Sequence, residues 1–371
     1  MPDYSSLRPL KDFKDHDFEL VFPDLDEETK IRTIQNLLKL REGLSSIPDK
    51  LADKNLIMAS WNIKEFGHTI QRLPESYFHI AEIMSMFDLI AVQEVKSTLK
   101  DLSIVMRLLG DDWLYVINDV TEGHKGNRER SAYIFNKTRL RFSGLAGEIV
   151  FWEELTKDME VKQLKRTPFI TGFEAGWKEF AIINFHLHPG DDDEDAETRR
   201  QELELLLKTL AEKKKKGHLW TENIILSGDF NLYEGATKDD ANVQMINDAG
   251  FFEVLSLKGV KTNVSQTEAY DRLFISNNDY FEFGKNAAGI DKGSVFLLFD
   301  YVFKLGDEDI YQEFMEDHYT GDKDTSEPGF FEGYFKNHWR KNQMSDHLPI
   351  WIELIIDSSD EFLEEKLGEL S

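Results

Sequence analysis

A chain of 371 residues with 41% hydrophobic content is long enough to bury a large core, in one big domain or two smaller ones. Its 44 lysines and arginines stand against 70 acidic residues, a formal charge of −26, so the long-range field repels nucleic acid, anionic membranes and polyphosphates; an enzyme for such substrates needs a cation or a local basic patch. With no cysteine, disulfides, thiolate catalysis and cysteine-ligated metal are excluded, and any metal must take oxygen or imidazole ligands.

Met1-Pro2-Asp3-Tyr4 carries no basic-then-apolar leader, and no apolar run approaches the roughly 18 residues of a membrane span. A soluble, cytoplasmic protein is expected, with secretion open only if a leader was removed. Residues 1–54 are charged and mixed and read as a partly helical N-terminal extension. Its helix starts near Asp26, with Ile31, Ile34, Leu37 and Leu38 at helical spacing.

From Leu56 the pattern becomes strand, turn and helix. Leu56 to Ile63 reads as a strand with Asn62 near its end. Pro74 opens a helix with Ile80, Ile83, Met84 and Phe87 on one stripe. Asp88 to Glu94 reads as a buried strand ending in a carboxylate. A helix through Leu102, Val105, Met106 and Leu109 follows, then a strand around Trp113–Ile117. The loop from Glu122 through Lys125, Asn127 and Arg128 to Arg130 is locally basic. Such a loop is usually a solvated hairpin tip; its other role is the local patch that an anionic substrate needs. It leads into the strand Ser131–Phe135.

Thr167–Phe173 and Phe180–His186 read as neighbouring strands, the second closing on His186 with His188 two residues on. The acidic run from Asp191 to Glu197 opens a helix whose apolar face is Leu203, Leu206, Leu207 and Leu210, and Lys213 to Lys216 close it before Gly217. That order of charge suits the helix dipole and accounts for both runs. Ile224 to Ser227 is a short buried strand, after which Gly228 frees the backbone and Asp229 and Asn231 follow at its carboxyl end. Two residues apart on an extended chain, these side chains point the same way and can face one ligand; an ordinary turn is the rival reading. Ala269–Ile275 and Phe296–Phe303 read as strands, the latter interrupted by Asp300. An insertion near 305–344 is rich in aromatic and basic residues, and residues 357–371 form an acidic C-terminal tail. Between them Ser345-Asp346-His347-Leu348-Pro349 opens a terminal strand.

The strand ends thus offer Asn62, Glu94, His186, Asp229, Asn231, Asp271, Asp346 and His347. Carboxylates, amides and two histidines are the parts for metal-assisted attack of water on a phosphate ester. Seven motifs in order, Trp61-Asn62-Ile63-Lys64-Glu65-Phe66-Gly67, Val92-Gln93-Glu94-Val95, Arg128-Glu129-Arg130, Asn184-Phe185-His186, Gly228-Asp229-Phe230-Asn231, Ala269-Tyr270-Asp271-Arg272 and Ser345-Asp346-His347-Leu348-Pro349, resemble the endonuclease/exonuclease/phosphatase superfamily, and within it the deoxyribonuclease I type. The resemblance covers roughly residues 55 to 355, and the domain is placed at 55–356.

It implies an α/β fold, a four-layer sandwich of two packed mixed β-sheets flanked by helices. It also implies a divalent-metal-dependent phosphodiester hydrolase, a DNA endonuclease with a histidine-activated water. A phosphatase or phosphodiesterase for small or lipid phosphates is the alternative. By the same resemblance Glu94 binds Mg2+, or Mn2+ or Ca2+, with Asp346 and Asn62 nearby. His347 is the general base oriented by Asp271, and His186 the general acid or leaving-group stabiliser oriented by Glu129. Asp229 and Asn231 hold the nucleophile and scissile phosphate, and Asn62, Lys96, Arg128 and Arg166 contact substrate. Asp300 rivals Asp271 as the partner of His347, and His188 rivals His186. Lys96 and Asn127 stand where the family places the arginine and tyrosine of its DNA groove contacts, which removes stacking and guanidinium contacts.

Overall fold

The computed structural model describes residues 1–9, 11, 20–67, 72–120, 128–233 and 237–371. Among them, twelve strands form two six-stranded sheets. The first sheet is built from β1 (Asn55–Phe66), β2 (Leu89–Lys96), β3 (Trp113–Ile117), β4 (Glu129–Asn136), β11 (Gly293–Val295) and β12 (Ile350–Ile355), in the order β11-β12-β1-β2-β4-β3. The second holds β5 (Arg141–Glu148), β6 (Phe169–Ala175), β7 (Lys178–His186), β8 (Ile224–Asp229), β9 (Phe251–Glu253) and β10 (Asp271–Ser276), in the order β5-β6-β7-β8-β10-β9. Each sheet is mixed: β1 with β2 and β7 with β8 run parallel at the centres, and antiparallel strands flank them.

The central strands are apolar on both faces because each sheet is covered twice. From β1, Leu56 and Met58 point into the space between the sheets, with Tyr133, Phe173, Phe180 and Leu273. Ile57, Ala59 and Trp61 point the other way, against α1 (Glu27–Leu44), α2 (Pro74–Ser85) and α3 (Lys100–Leu109). On the far side α5 (Asp193–Lys215) lays Leu203, Leu206 and Leu210 on Ile183, Phe185 and Leu226; the short α4 (Glu153–Thr156) and α6 (Thr237–Asp248) contact it. This is the expected four-layer sandwich. The two sheets are also tied by polar contacts: Tyr133 donates its hydroxyl to Phe169 O and Ile182 O, both at 2.8 Å, and Gln93 donates to Asn184 Oδ1 at 2.7 Å. Buried and paired, such groups fix how one sheet sits on the other.

Several local readings need correction. In α1, capped by Asp26, the buried apolar face is Leu37, Leu40 and Leu44, whereas Ile31, Ile34 and Leu38 are exposed. The two faces differ by a partial turn, which spacing alone leaves undecided. Phe296–Phe303 is not a strand: Leu298–Asp300 is a 3₁₀ turn that buries Leu298, Phe299, Val302 and Phe303 and leaves Asp300 exposed. The inserted residues form α7 (Glu308–His318), α8 (Phe330–Tyr334), a π-helical turn at Phe335–Trp339 and α9 (Arg340–Gln343). Tyr311, Phe335 and Trp339 join the helical layer over the first sheet, with Trp339 1% exposed. After β12, residues Ser359–Leu370 form α10, which rests on Trp177 and Tyr280 through Phe362. Among the described residues no helix is long and apolar enough to cross a membrane.

The helical layer contains a proton-sensitive group. His79 of α2 is fully buried, neither ring nitrogen has a hydrogen-bond partner, and burial, with Arg32 nearby, pushes it down to about 3. The folded state therefore binds fewer protons here than the unfolded chain, whose histidine titrates near 6.5. Its contribution is intact above that pH and is lost as pH falls towards 3, by about 2 kcal/mol between pH 7 and pH 5. Urea unfolding of wild type and His79→Phe at both pH values checks this. The wild type is expected to lose about 2 kcal/mol more than the variant on acidification, and a parallel loss in both would assign the effect to other groups.

Candidate active site

The parallel pairs β1/β2 and β7/β8 bring four strand ends to one edge of the sandwich, and the antiparallel β10 and β12 begin at the same edge. Gly228, with φ 143°, is required there: a Cβ would stand 1.9 Å from the Phe185 carbonyl oxygen of the neighbouring strand. The following residue, Asp229, lies in register with His186 on one side and with Asp271 on the other. It is therefore the centre of the constellation.

Asp229 Oδ2 lies 3.4 Å from His186 Nε2, 3.7 Å from His347 Nε2 and 3.1 Å from the Asn62 amide nitrogen. Asp229 Oδ1 accepts the Asn231 backbone N–H at 3.0 Å. Asn231 does not share the strand geometry that its spacing suggested: it sits beyond the strand at φ 49°, and its amide donates to Leu187 O at 3.1 Å. Each histidine has a carboxylate behind it. His347 Nδ1 is 2.8 Å from Asp271 Oδ2, and His186 Nδ1 is 3.6 Å from Glu129 Oε2. Of the two rivals for His347, Asp271 is the one in contact, and Asp300 lies exposed on its turn. His188 is engaged elsewhere, with Asp195 at 2.7 Å and with Lys165.

Glu94 reaches the edge by a backbone irregularity. The β2/β4 register shifts between Val92 and Val95, and Glu94 takes a left-handed φ of 61°. Left-handed non-glycine residues cost on the order of 1 kcal/mol, and bulges re-aim side chains. Glu94 Oε1 accepts from the Asn62 amide at 3.2 Å and Oε2 from the Glu65 N–H at 3.1 Å. Asp346 is half-exposed, with Lys64 Nζ 3.8 Å away. Lys96 and Arg166 both turn to Glu129, at 3.3 and 2.8 Å. Arg128 is exposed at φ 54° immediately before Glu129, and Asn127 lies outside the described residues.

The charges separate the two imidazoles. Burial opposes a charged His347, but Asp271, Asp229 and Asp346 outweigh it and hold the ring well above the ordinary histidine range. Burial, with Arg166, His347 and Lys96 adding to it, holds His186 well below that range. Burial likewise pushes Asp229 up to about 6, against the pull of His347. Glu94 is raised by burial first, then by Glu129 and Asp346. So the first imidazole is held charged, the second neutral, and the carboxylates crowd one another.

Among the described residues no three His, Asp or Glu side chains form a ready-made metal cage. Glu94, Asn62 and Asp346 nevertheless fit an open cation site. The Asn62 Oδ1 is buried without a hydrogen-bond partner, and Glu94 feels the charge of Asp346. Carboxylate and amide oxygens suit a hard divalent ion.

Two contributors carried no assigned role in the sequence. Ser345 Oγ donates to Asn62 O at 2.7 Å and accepts the N–H groups of Lys64 and His347, at 3.0 and 3.1 Å. It locks the β1 end to the His347 loop; its only sequence signal is the hydroxyl ahead of the Asp-His pair. The Tyr270 ring lies 5.9 Å from that of His347, with Tyr233 packed edge-on against Tyr270. An aromatic next to Asp271 was legible, its wall against the imidazole was not.

No family model matches the chain. It is 26% identical to Homo sapiens deoxyribonuclease-1 over 187 residues, covering 48% of this chain and 61% of that protein. It is 24% identical to Homo sapiens deoxyribonuclease gamma over 266 residues, 68% of this chain and 80% of that one. Similar solved structures include an endonuclease/exonuclease/phosphatase family protein from Bacteroides thetaiotaomicron, at 18% identity and TM-score 0.49, covering 82% of this chain and 98% of that one. A mannosyl-6-phosphatase of the same organism has 17% identity and TM-score 0.49, covering 81% and 99%. In its ordered motifs, its two-sheet fold and its similarity to deoxyribonuclease-1 and deoxyribonuclease gamma, the chain resembles the endonuclease/exonuclease/phosphatase superfamily, and within it the deoxyribonuclease I type.

Proposed function

We propose that the protein is a divalent-metal-dependent phosphodiesterase that cuts DNA internally. The observation that carries this reading is the convergence of two carboxylate-backed imidazoles on one carboxylate: His347 and His186 approach the same Asp229 Oδ2 at 3.7 and 3.4 Å. Two imidazoles in different charge states, facing a shared centre, are what a displacement at phosphorus needs, one on the attacking and one on the leaving side.

In its neutral form His347 takes the proton of a water through Nε2, because Asp271 holds Nδ1 as the protonated nitrogen. Asp229, with the Asn231 N–H on its other oxygen, orients that water on the line to phosphorus. The oxygen–phosphorus bond forms as the bond to the leaving oxygen breaks. His186, neutral in its buried place, stabilises that oxygen with its Nε2–H, the nitrogen that faces Asp229, and the departing oxygen takes its proton from water. Lys96 and Arg166 sit beside it as the positive groups for the phosphoryl oxygens, and Arg128 extends them at the surface. A divalent cation, Mg2+ or Mn2+, held by Glu94, Asn62 and Asp346, would neutralise phosphoryl charge in a strongly acidic protein and favour the neutral form of the base.

The relatives are named as deoxyribonucleases, which favours DNA. The second reading, a phosphatase or phosphodiesterase for small or lipid phosphates, is favoured by Lys96, whose ammonium is drawn inward to Glu129. Supercoiled plasmid separates the two. Metal-dependent nicking that stops with chelator is expected. Intact plasmid together with phosphate released from a sugar or inositol phosphate would replace the nuclease reading with the second.

A further inference from the structure

Behind the proposed cation site lies an arginine that cannot touch substrate. The Arg72 side chain is fully buried, with Nη1 2.6 Å from Asp101 Oδ2. Its remaining donors go to backbone carbonyls on two different segments, the end of β1 and the end of α9 with the residue after it. Nη2 donates to Lys64 O at 3.1 Å and to Met344 O at 3.4 Å, and Nε to Gln343 O at 3.1 Å and Asn342 O at 3.3 Å. Lys64 precedes Glu65, whose N–H holds Glu94. Residues 342–344 lead directly into Ser345, Asp346 and His347. Asp101 completes the joint by accepting the Gly67 N–H at 3.2 Å and the Tyr77 hydroxyl at 2.8 Å.

We propose that Arg72 is a positioning residue that sets the distance between the Glu94 side of the site and the Asp346-His347 side. The inference rests on the phosphodiesterase reading above. The planar guanidinium is suited to this place because its five donors lie in one rigid fork, so the end of β1 and the end of α9 are fixed relative to each other and not merely attracted. A lysine keeps the charge opposite Asp101 but offers a single ammonium that cannot span both segments. A displacement of about 1 Å in such a site costs about a hundredfold in rate. Asn62 lies on β1 two residues before Lys64, Glu94 is held by the Glu65 N–H, and Asp346 follows residues 342–344, so ion affinity depends on the same joint.

The test uses the full chain with Arg72→Lys, checked for folding by circular dichroism. Plasmid cleavage kinetics are joined by calorimetric titration with Mn2+ alone. The expected result is a kcat lower by tenfold or more with KM changed by less than about threefold, and Mn2+ affinity about tenfold weaker, within the range found for groups that support metal ligands. A kcat and an Mn2+ affinity within about twofold of native, with only the melting temperature lowered, would overturn the proposal and leave Arg72 a structural residue. Should Arg72→Lys fail to fold, Asp101→Asn, which keeps the shape of the joint and weakens its hold on the guanidinium, is judged by the same two criteria. If the native protein cleaves no phosphodiester, the functional reading has failed, and the Mn2+ affinities alone decide the positioning role.

Discussion

His347→Ala is expected to lower kcat/KM for plasmid cleavage by about a thousandfold, about 4 kcal/mol of transition-state stabilisation, with the protein still folded. The expectation follows from the place of the ring. It is the imidazole with a carboxylate at hydrogen-bond distance, and its free nitrogen faces Asp229. Among the described residues neither neighbouring imidazole can take over, because His186 is backed by Glu129 and His188 is held by Asp195. Asp271→Asn tests the same unit more finely. It keeps the shape but can present an N–H to Nδ1, which favours the wrong tautomer, so a loss of the same order is expected while KM moves little. Unchanged cleavage by His347→Ala would remove the histidine-activated water from the mechanism, whatever the substrate proves to be.

The second large effect belongs to Glu94. Its replacement by alanine removes the carboxylate that the bulge in β2 aims at the edge, and with it the acceptor that joins Asn62 and Glu65. We expect roughly a hundredfold or greater loss of rate at a fixed, low Mn2+ concentration, partly restored as the ion concentration is raised, since a divalent ion contributes several kcal/mol at the phosphoryl oxygens. Glu94→Gln should fall between the two, because an amide oxygen still ligates but carries no charge. Calorimetry with Mn2+ alone gives an independent reading. A Glu94→Ala protein that keeps native ion affinity would move the cation to other ligands.

Much of the architecture was legible from residue order because its determinants are local or repetitive. Apolar runs such as Leu56–Ile63 and Asp88–Glu94, each closed by a polar residue, are buried central strands, and Pro74 opens α2 as its fixed φ predicts. Acidic and basic runs at the two ends of α5 follow the dipole. The strand β5 escaped notice because it is an edge strand whose residues are mostly half-buried or exposed, so no core periodicity marks it. The stretch Phe296–Phe303 misled for the converse reason. It is apolar enough for a strand, yet its buried residues fall at 298, 299, 302 and 303, a turn-like spacing that two-residue alternation does not produce.

The site residues divide the same way. Which side chains are competent, two imidazoles, a set of carboxylates and two amides ahead of or behind apolar strands, could be read from the chain, as could the absence of thiolate chemistry. Which of them meet could not. That Asp271 and not Asp300 lies against His347, and that His186 and not His188 lies against Asp229, depends on the register of β10 on β8 and of β8 on β7, which tertiary pairing sets. The aim of Glu94 depends on a left-handed residue at a bulge, a conformation that a glutamate does not seek by itself and that only the surrounding sheet imposes. Arg72 shows the limit most clearly. In sequence it is one charged residue before a helix; in the fold it is a buried fork joining carbonyls at the end of β1 and the end of α9, the latter 271 residues beyond Arg72. Residue chemistry and strand pattern are properties of short segments, and the chain itself carries them. The distance between two such segments is set by what packs between them, and only the tertiary structure decides it.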